Sequence, residues 1–549
     1  MISFLEVILV SAISWIGWEA LKRFVLTSSL DNLPGPPSTS IFHGNIRDLL
    51  SYDGWDYQRH ILDTYGRAQK LAGTLGSRVF LTHDPKALYH ILVKDQQFYE
   101  PIGFTGRNKV YLGEGLLGWI GEQHRKQRKL MNPVFSIKHM RELIPLFYEV
   151  TERLCSTLKT QLHNGRQVVD MHDWLTRTAL ELIGQSGMDC SFDSLGGEGY
   201  HHPCAKAIKQ FLPLASGSFG FVLNPFFPYV NNWNFPRLKR FIVEHTPFER
   251  VQNLKHVVDV MYNNSRGIIE KKKSALESND KAVAAEMMEK KDIITILMRA
   301  NLEAGKDNRL TDEEVCGQSS TFSTFIFAAM DTTSSALARV FQILSTEMDA
   351  QDRLRKEIRD AQRDGQLTYD QLVSLPYLDA VCRETLRLFP PVNFPGVRIA
   401  IRDSVVPLSK PIIGKNGEEI REIIIPKGTN IMIPITGSNT DPDLWGADAL
   451  EWKPERWLSA LPKPLEEARL PGIYSHLMTF LGGSRACIGF KFSQLEMKVV
   501  MAVLLSSFKF EVAPEHRIIW KMTGVSAPYI EQADGIHQAL PILMSLVSD

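Results

Sequence analysis

Apolar positions are spread unevenly along this chain. Residues 2–21, ISFLEVILVSAISWIGWEAL, form its most apolar long stretch. About 20 such residues match one bilayer-spanning helix. Trp15 and Trp18 stand where an interfacial belt is expected, and Lys22-Arg23 follow at once. The pattern predicts an N-terminal anchor over residues 1–26, with the body on the cytosolic side. A cleaved leader would want a basic start and a small-residue cleavage site, and neither is clear. An amphipathic helix lying in the interface is the rival reading. Leu33-Pro34-Gly35-Pro36-Pro37 disfavours helix because proline fixes φ, so residues 27–40 read as a stiff, extended hinge.

The remainder, residues 41–549, reads as one mainly helical domain. Leu71 to Thr82 alternates around Gly73 and Gly76-Ser77, which suggests a strand pair. Asp84-Pro85 then has the order of an N-cap and first helical residue, ahead of the run from Ala87 to Leu92. Ser319 to Met348 holds neither proline nor glycine and predicts one long buried helix. Leu378 to Phe389 is a second helical run. Glu422–Ile425 and Asn430–Ile435 look like strands. The charged stretch from Glu270 to Lys291 reads as a solvated helix end and loop. With no internal repeat, the class is α+β with helices dominant.

Composition narrows this little further. The chain has 549 residues, and Lys+Arg and Asp+Glu both number 62. With no global basic field, nucleic acid is not an expected partner. The six cysteines are scattered without a Cys-x-x-Cys pair, against a disulfide framework or a structural zinc site. Asn263-Asn264-Ser265 fits a glycosylation sequon that the cytosolic topology would leave unused.

Candidate chemistry sits in ten residues, Phe480-Leu481-Gly482-Gly483-Ser484-Arg485-Ala486-Cys487-Ile488-Gly489. The pattern Phe-x-x-Gly-x-Arg-x-Cys-x-Gly resembles the heme-binding loop of the cytochrome P450 superfamily, the heme-thiolate monooxygenases. The resemblance implies Cys487 as axial thiolate to the iron of heme b, a ligand that favours O–O cleavage. Phe480, Gly483 and Gly489 would shape the cofactor's seat, and Arg485 would hold a propionate by a charge-assisted hydrogen bond. A glycine backbone can turn close to a porphyrin without a Cβ clash.

Three further motifs follow the family's order. Ala328-Ala329-Met330-Asp331-Thr332-Thr333 resembles its oxygen-activation motif, with Ala329 in place of the usual glycine. Oxygen activation needs two protons, and Thr332 with Asp331 would relay them. Glu384-Thr385-Leu386-Arg387 resembles Glu-x-x-Arg, with both charges on one helix face. Pro454-Glu455-Arg456-Trp457 resembles the segment whose arginine completes a buried triad, so Glu384, Arg387 and Arg456 are given a structural role. The family usually has Trp-x-x-x-Arg where this chain has His124 and Arg128; both, with Arg398, would touch propionates. Arg125, Lys126 and Lys129 on the other faces of that helix could attract an acidic electron donor.

The implied fold is that of a cytochrome P450, with a long central helix over heme, small β-sheets and a transmembrane helix in front. The implied function is a monooxygenase of the endoplasmic reticulum membrane that hydroxylates an apolar small molecule. It would draw on O₂ and on a separate NADPH-dependent reductase, because the chain has no Rossmann or flavin fingerprint of its own. The layout looks most like microsomal fungal members of specialised metabolism, such as terpenoid hydroxylases. Substrate walls would come from Tyr99–Leu117, Phe322, Phe325, Ile326, Val392–Val397 and Met522–Ile530. Two other classes stay open: a heme-thiolate isomerase or dehydratase that does not use O₂, and a non-catalytic heme-binding protein.

Overall fold

The chain divides into a strand-rich unit and a unit dominated by long helices. A computed structural model describes residues 25–196, 202–215, 235–276, 291–303, 312–522, 524–533 and 535–547, with Ser14, Gly17, Trp18 and Val230. The predicted anchor therefore lies almost wholly outside the described residues. Among the described residues, no helix is long and apolar enough to cross a membrane.

The sheet-rich unit comprises Met1–Pro101, Asn393–Ala449 and Pro462–Ala486. Its five-stranded sheet runs Ala68–Ala72, Arg78–Thr82, Asn430–Met432, Arg398–Ala400, Tyr99–Glu100 in spatial order. The first two strands are the expected pair, antiparallel with Leu71 opposite Val79. Arg78–Thr82 then takes Asn430–Met432 as a parallel neighbour. The predicted strand Asn430–Ile435 is thus three residues shorter than expected, because Pro434 is the N-cap of a short helix, Ile435–Asn439. Asp84 caps the helix Pro85–Tyr89 by accepting from the Lys86 and Ala87 amides. The same carboxylate also accepts from the Ser409 amide, so one side chain ties a local cap to a distant hairpin. The proline-rich segment is extended and docked on this unit, with the Pro34 carbonyl accepting from the Lys70 amide at 2.8 Å.

The helical unit comprises Ile102–Val392, Leu450–Leu461 and Cys487–Asp549. Its central helix, Asp312–Thr346, is 35 residues long and unbroken through Ala328 and Ala329. It begins seven residues before the predicted start. It stops where Ser345 and Thr346 turn their hydroxyls back onto the Gln342 and Ile343 carbonyls, a local alternative to helical bonding. The Leu378–Phe389 run is realised as Pro376–Leu388, with Pro376 at the first helical position. Against the central helix lies Met171–Met188, buried along nearly its whole length. Phe490–Ser507 packs on Ile137–Gln161 through Phe492 and Phe147, whose rings meet edge-on at 5.1 Å. A C-terminal sheet of Ile518–Met522, Ser526–Gln532 and Gly535–Gln538 completes what the site needs.

Candidate active site around Cys487

Backbone geometry makes the loop. Strand Leu477–Gly482 ends with Leu481 at φ 58°, and Gly483 follows at φ 71°. A Cβ on Gly483 would come 1.8 Å from the Leu92 carbonyl oxygen, so this glycine is required twice over. The Ser484 amide then donates to Gln96 Oε1 at 2.9 Å. Gly489 is different. Its φ is −89°, and a Cβ there would meet only the Phe135 ring at 3.8 Å. Phe480 lies edge-on to Tyr474, 5.5 Å between centroids.

Cys487 follows the loop and precedes the helix Phe490–Ser507. Its side chain is exposed, yet protein crowds it enough that burial pushes its thiol pKa up. The Gly489 amide and the Arg128 guanidinium pull the other way and favour a thiolate. Among the described residues no cluster of three or more His, Cys, Asp or Glu side chains could hold a metal.

Cationic groups gather in each unit. In the helical unit, His124 and Arg128 project from the helix Gly121–Met131 one turn apart, His124 buried and Arg128 half-buried. Burial lowers the Arg128 pKa and Cys487 partly restores it. Arg125 and Lys129 are exposed on the same helix, and Arg125 pairs with Glu122 at 2.5 Å. In the sheet-rich unit, Arg398 is 4% exposed. Burial and then the neighbouring Arg485 push its pKa down to about 10. Glu100 stands 3.7 Å from Arg485, one carboxylate among two cations. The surplus positive charge suits a bound carboxylate.

The central helix is open where the motif lies. Met330 is fully buried and Thr333 nearly so, but Ala328 is exposed and Phe327, Ala329, Asp331 and Thr332 are half-buried. Thr332 Oγ1 donates to the Ala328 carbonyl at 2.6 Å, leaving its lone pairs free to accept. The Asp331 carboxyl is pushed up to about 7 by burial, with Lys209 opposing weakly. It therefore titrates where a proton relay works best. Behind this face, Thr333 Oγ1 donates to Ser493 Oγ at 3.2 Å, joining the helix to the one that follows Cys487.

Glu384, Arg387 and Arg456 come together. Arg387 donates twice to Glu384 at 2.8 Å, with neither side chain exposed. Arg456 Nε lies 3.5 Å from Glu384 Oε1. Sequence reasoning missed the rest of this network. Glu384 also accepts from the Lys453 amide and from Trp457 Nε1, each at 3.0 Å. Arg387 reaches the Glu451 carbonyl, and Trp452 Nε1 reaches Thr385 Oγ1. Trp457 was in view beside the arginine motif, but nothing local marks an indole as a carboxylate's donor.

The expected walls are mixed. Phe325 is 8% exposed and edge-on to Phe135, 5.6 Å between centroids, and Ile326 is buried. The Phe322 side chain lies outside the described residues. Tyr99 is buried, its hydroxyl donating to Ser404. An aromatic file that the sequence did not announce runs Tyr111, Phe211, Phe327, with centroids 6.3 and 5.2 Å apart. It leads to the open face of the central helix. The glycosylation sequon falls inside the helix Glu249–Leu276, with Asn264 Nδ2 donating to the Val260 carbonyl. The charged stretch is helical as far as Leu276, and residues 277–290 lie outside the described ones.

Comparison with known proteins agrees with this geometry. The cytochrome P450 family model matches residues 34–528. Cytochrome P450 monooxygenase 91 of Postia placenta is 47% identical over 96% of this chain and 97% of its own length. Cytochrome P450 monooxygenase 81 of the same fungus is 45% identical over 96% of this chain and 95% of its own. A ganoderic acid synthetase of Ganoderma lucidum is 42% identical over 96% of both.

Proposed function

The chain belongs to the cytochrome P450 family, and from that footing we propose that it hydroxylates an apolar small molecule, a terpenoid or related specialised metabolite, at the end of a membrane anchor. It is a cytochrome P450 monooxygenase, using dioxygen, a redox partner and an organic substrate. The finer reading adds heme b as cofactor, a separate NADPH-dependent reductase as electron source, and the endoplasmic reticulum membrane as location. The synthetase among the relatives, named for ganoderic acid, speaks for specialised metabolism.

The residues fit a heme. Cys487 offers one exposed thiol, and among the described residues it belongs to no cluster of three or more potential metal ligands. A porphyrin brings its own remaining donors. By the family pattern, His124, Arg128, Arg398 and Arg485 would each serve a heme carboxylate. Gly483 keeps the loop's turn. Glu384, Arg387 and Arg456 hold the segment around Glu451–Trp457 and play no part in the chemistry. When bound, the heme supplies the redox chemistry that activates dioxygen.

One observation carries the reading: the open Ala328–Thr332 face of the central helix, with a carboxyl titrating near neutrality on it. Asp331 takes protons from water, and Thr332, whose lone pairs face out, passes them on. The apolar file of Tyr111, Phe211 and Phe327 excludes water beside them and favours an apolar substrate.

The test is Cys487→Ser. It should abolish the red-shifted Soret band of the reduced carbon monoxide complex and all product formation with reductase and NADPH. A variant that keeps the band overturns the ligand assignment. Separately, protease added to sealed microsomes should digest the body, and protection of the body would refute the cytosolic topology.

A further inference from the structure

Among the described residues, Arg339 has no anionic partner. It lies seven residues beyond Thr332 on the central helix, a rise of about 10 Å. Among the described residues no carboxylate faces it, and its Nε is sealed from solvent with no acceptor. Its Nη1 donates to Gln342 Oε1 at 3.3 Å. Instead the guanidinium is sandwiched. Its central carbon lies 3.6 Å from the centroid of Trp520 and 4.3 Å from that of Phe389. Trp520 Nε1 donates to the same Gln342 oxygen at 2.7 Å. Burial pulls the Arg339 pKa down to about 9, with nothing acidic to restore it. An arginine placed so is held by its planar stacking, which a lysine cannot reproduce.

One turn earlier the same three elements meet again. Ser335 Oγ donates to the Ser526 carbonyl at 2.5 Å, and the Ser526 amide donates to the Pro391 carbonyl at 2.8 Å. Ser335, Arg339 and Gln342 share one helix face by their spacing of four and three. That face fastens both strands of the hairpin Ile518–Met522 and Ser526–Gln532, together with the chain that leaves Pro376–Leu388. These stretches adjoin two of the walls assigned to the substrate, Val392–Val397 and Met522–Ile530, and the fastening helix also carries Asp331 and Thr332.

We propose that Arg339 is a positioning residue for substrate selectivity, a stacked clasp that fixes the hairpin turn at Gly524–Val525 and the Pro390–Val392 segment at a set distance from Thr332. The inference rests on the monooxygenase reading, because the walls matter only if substrate lies against them. Loss of the clasp lets the walls move while the heme loop stays as it was.

The test uses the full-length holoprotein and two azole probes that bind heme iron, 4-phenylimidazole as the small one and clotrimazole as the bulky one. Their dissociation constants are read from the Soret shift, and deuterium uptake is read over residues 518–532. Arg339→Met should keep the carbon monoxide band, raise uptake in the hairpin, and change the ratio of the two constants about two- to fivefold, the worth of one cation–π contact. Arg339→Lys should shift the ratio in the same direction, and Trp520→Leu combined with Arg339→Met should add little to either single change. An unchanged ratio with unchanged uptake overturns the clasp. If Arg339→Met fails to fold, Arg339→Lys decides by the same two readings. A wild-type protein with no red-shifted band and no azole shift would sink the monooxygenase reading instead, which keeps the two failures apart.

Discussion

Replacing Asp331 by asparagine should make this protein more stable and less productive. The carboxyl has a folded pKa of about 7 against a usual 3.8, so the folded state holds its proton more tightly. The cost of ionising it in place is absent while both states are protonated, near pH 3. It grows as pH rises from about 4 to 7 and is complete above 7. Three units correspond to about 4 kcal/mol at most. Asp331 is only half-buried, so solvent screening reduces this to about 2 kcal/mol. Asparagine keeps the shape and removes the charge. Unfolding entropy is about 2.1 cal/mol/K per residue, so for 549 residues the gain raises Tm by about 2 °C at pH 8 and not at all near pH 4. Product per NADPH should fall at the same time, since general acid–base groups contribute about 10²–10⁴-fold in rate. The assay is a pair of melting curves on holoprotein at two pH values, with product and NADPH counted in a reductase-coupled reaction. A variant that melts no higher at pH 8, or that makes as much product per NADPH, refutes the assignment of a strained, working carboxyl.

Three other outcomes follow from the site. Thr332→Ala should keep the carbon monoxide spectrum and NADPH consumption while releasing more peroxide and less product; unchanged coupling would remove Thr332 from the relay. Glu384→Ala leaves Arg387 buried without its partner, at a cost of about 3–5 kcal/mol, and should yield protein that fails to retain heme; a stable holoprotein with a normal spectrum would show the network dispensable. Gly483→Ala should prevent folding of the loop, whereas Gly489→Ala should leave the apoprotein's Tm within about 1 °C, because its Cβ has room on the protein side; equal effects of the two would contradict the backbone geometry.

What the sequence announced was local. The Asp84-Pro85 cap, the Gly73–Gly76 hairpin and the breaker-free central helix each depend on residues a few positions apart, and each is present. The three-residue spacing of Glu384 and Arg387 likewise announced a shared face, and the two are bonded. What it concealed was long-range. Trp457 as a donor to Glu384, Ser409 on the Asp84 cap and Trp520 stacked on Arg339 all join residues more than seventy positions apart. No periodicity reports such pairs. The overextended strand at Asn430 failed differently, because the apolar run continues past Pro434 while the backbone cannot. His124 in the tryptophan position was legible only through the family pattern.

The sheet-rich unit is assembled from three separated stretches, and this sets a timetable on the ribosome. Strand Arg78–Thr82 emerges early with its hairpin partner, but its parallel neighbour Asn430–Met432 is encoded some 350 residues later. At 5–20 residues per second, the wait is roughly 20–70 s. Throughout it a strand carrying Val79, Phe80 and Leu81 has one side unpaired, the kind of edge that recruits the wrong chain. The unit closes only at Ala486, and the next residue made is Cys487. With Cys487 as the proposed heme ligand, cofactor capture would come among the last events of synthesis, and slower translation of residues 102–392 should then lower the yield of holoprotein without touching the final fold's stability.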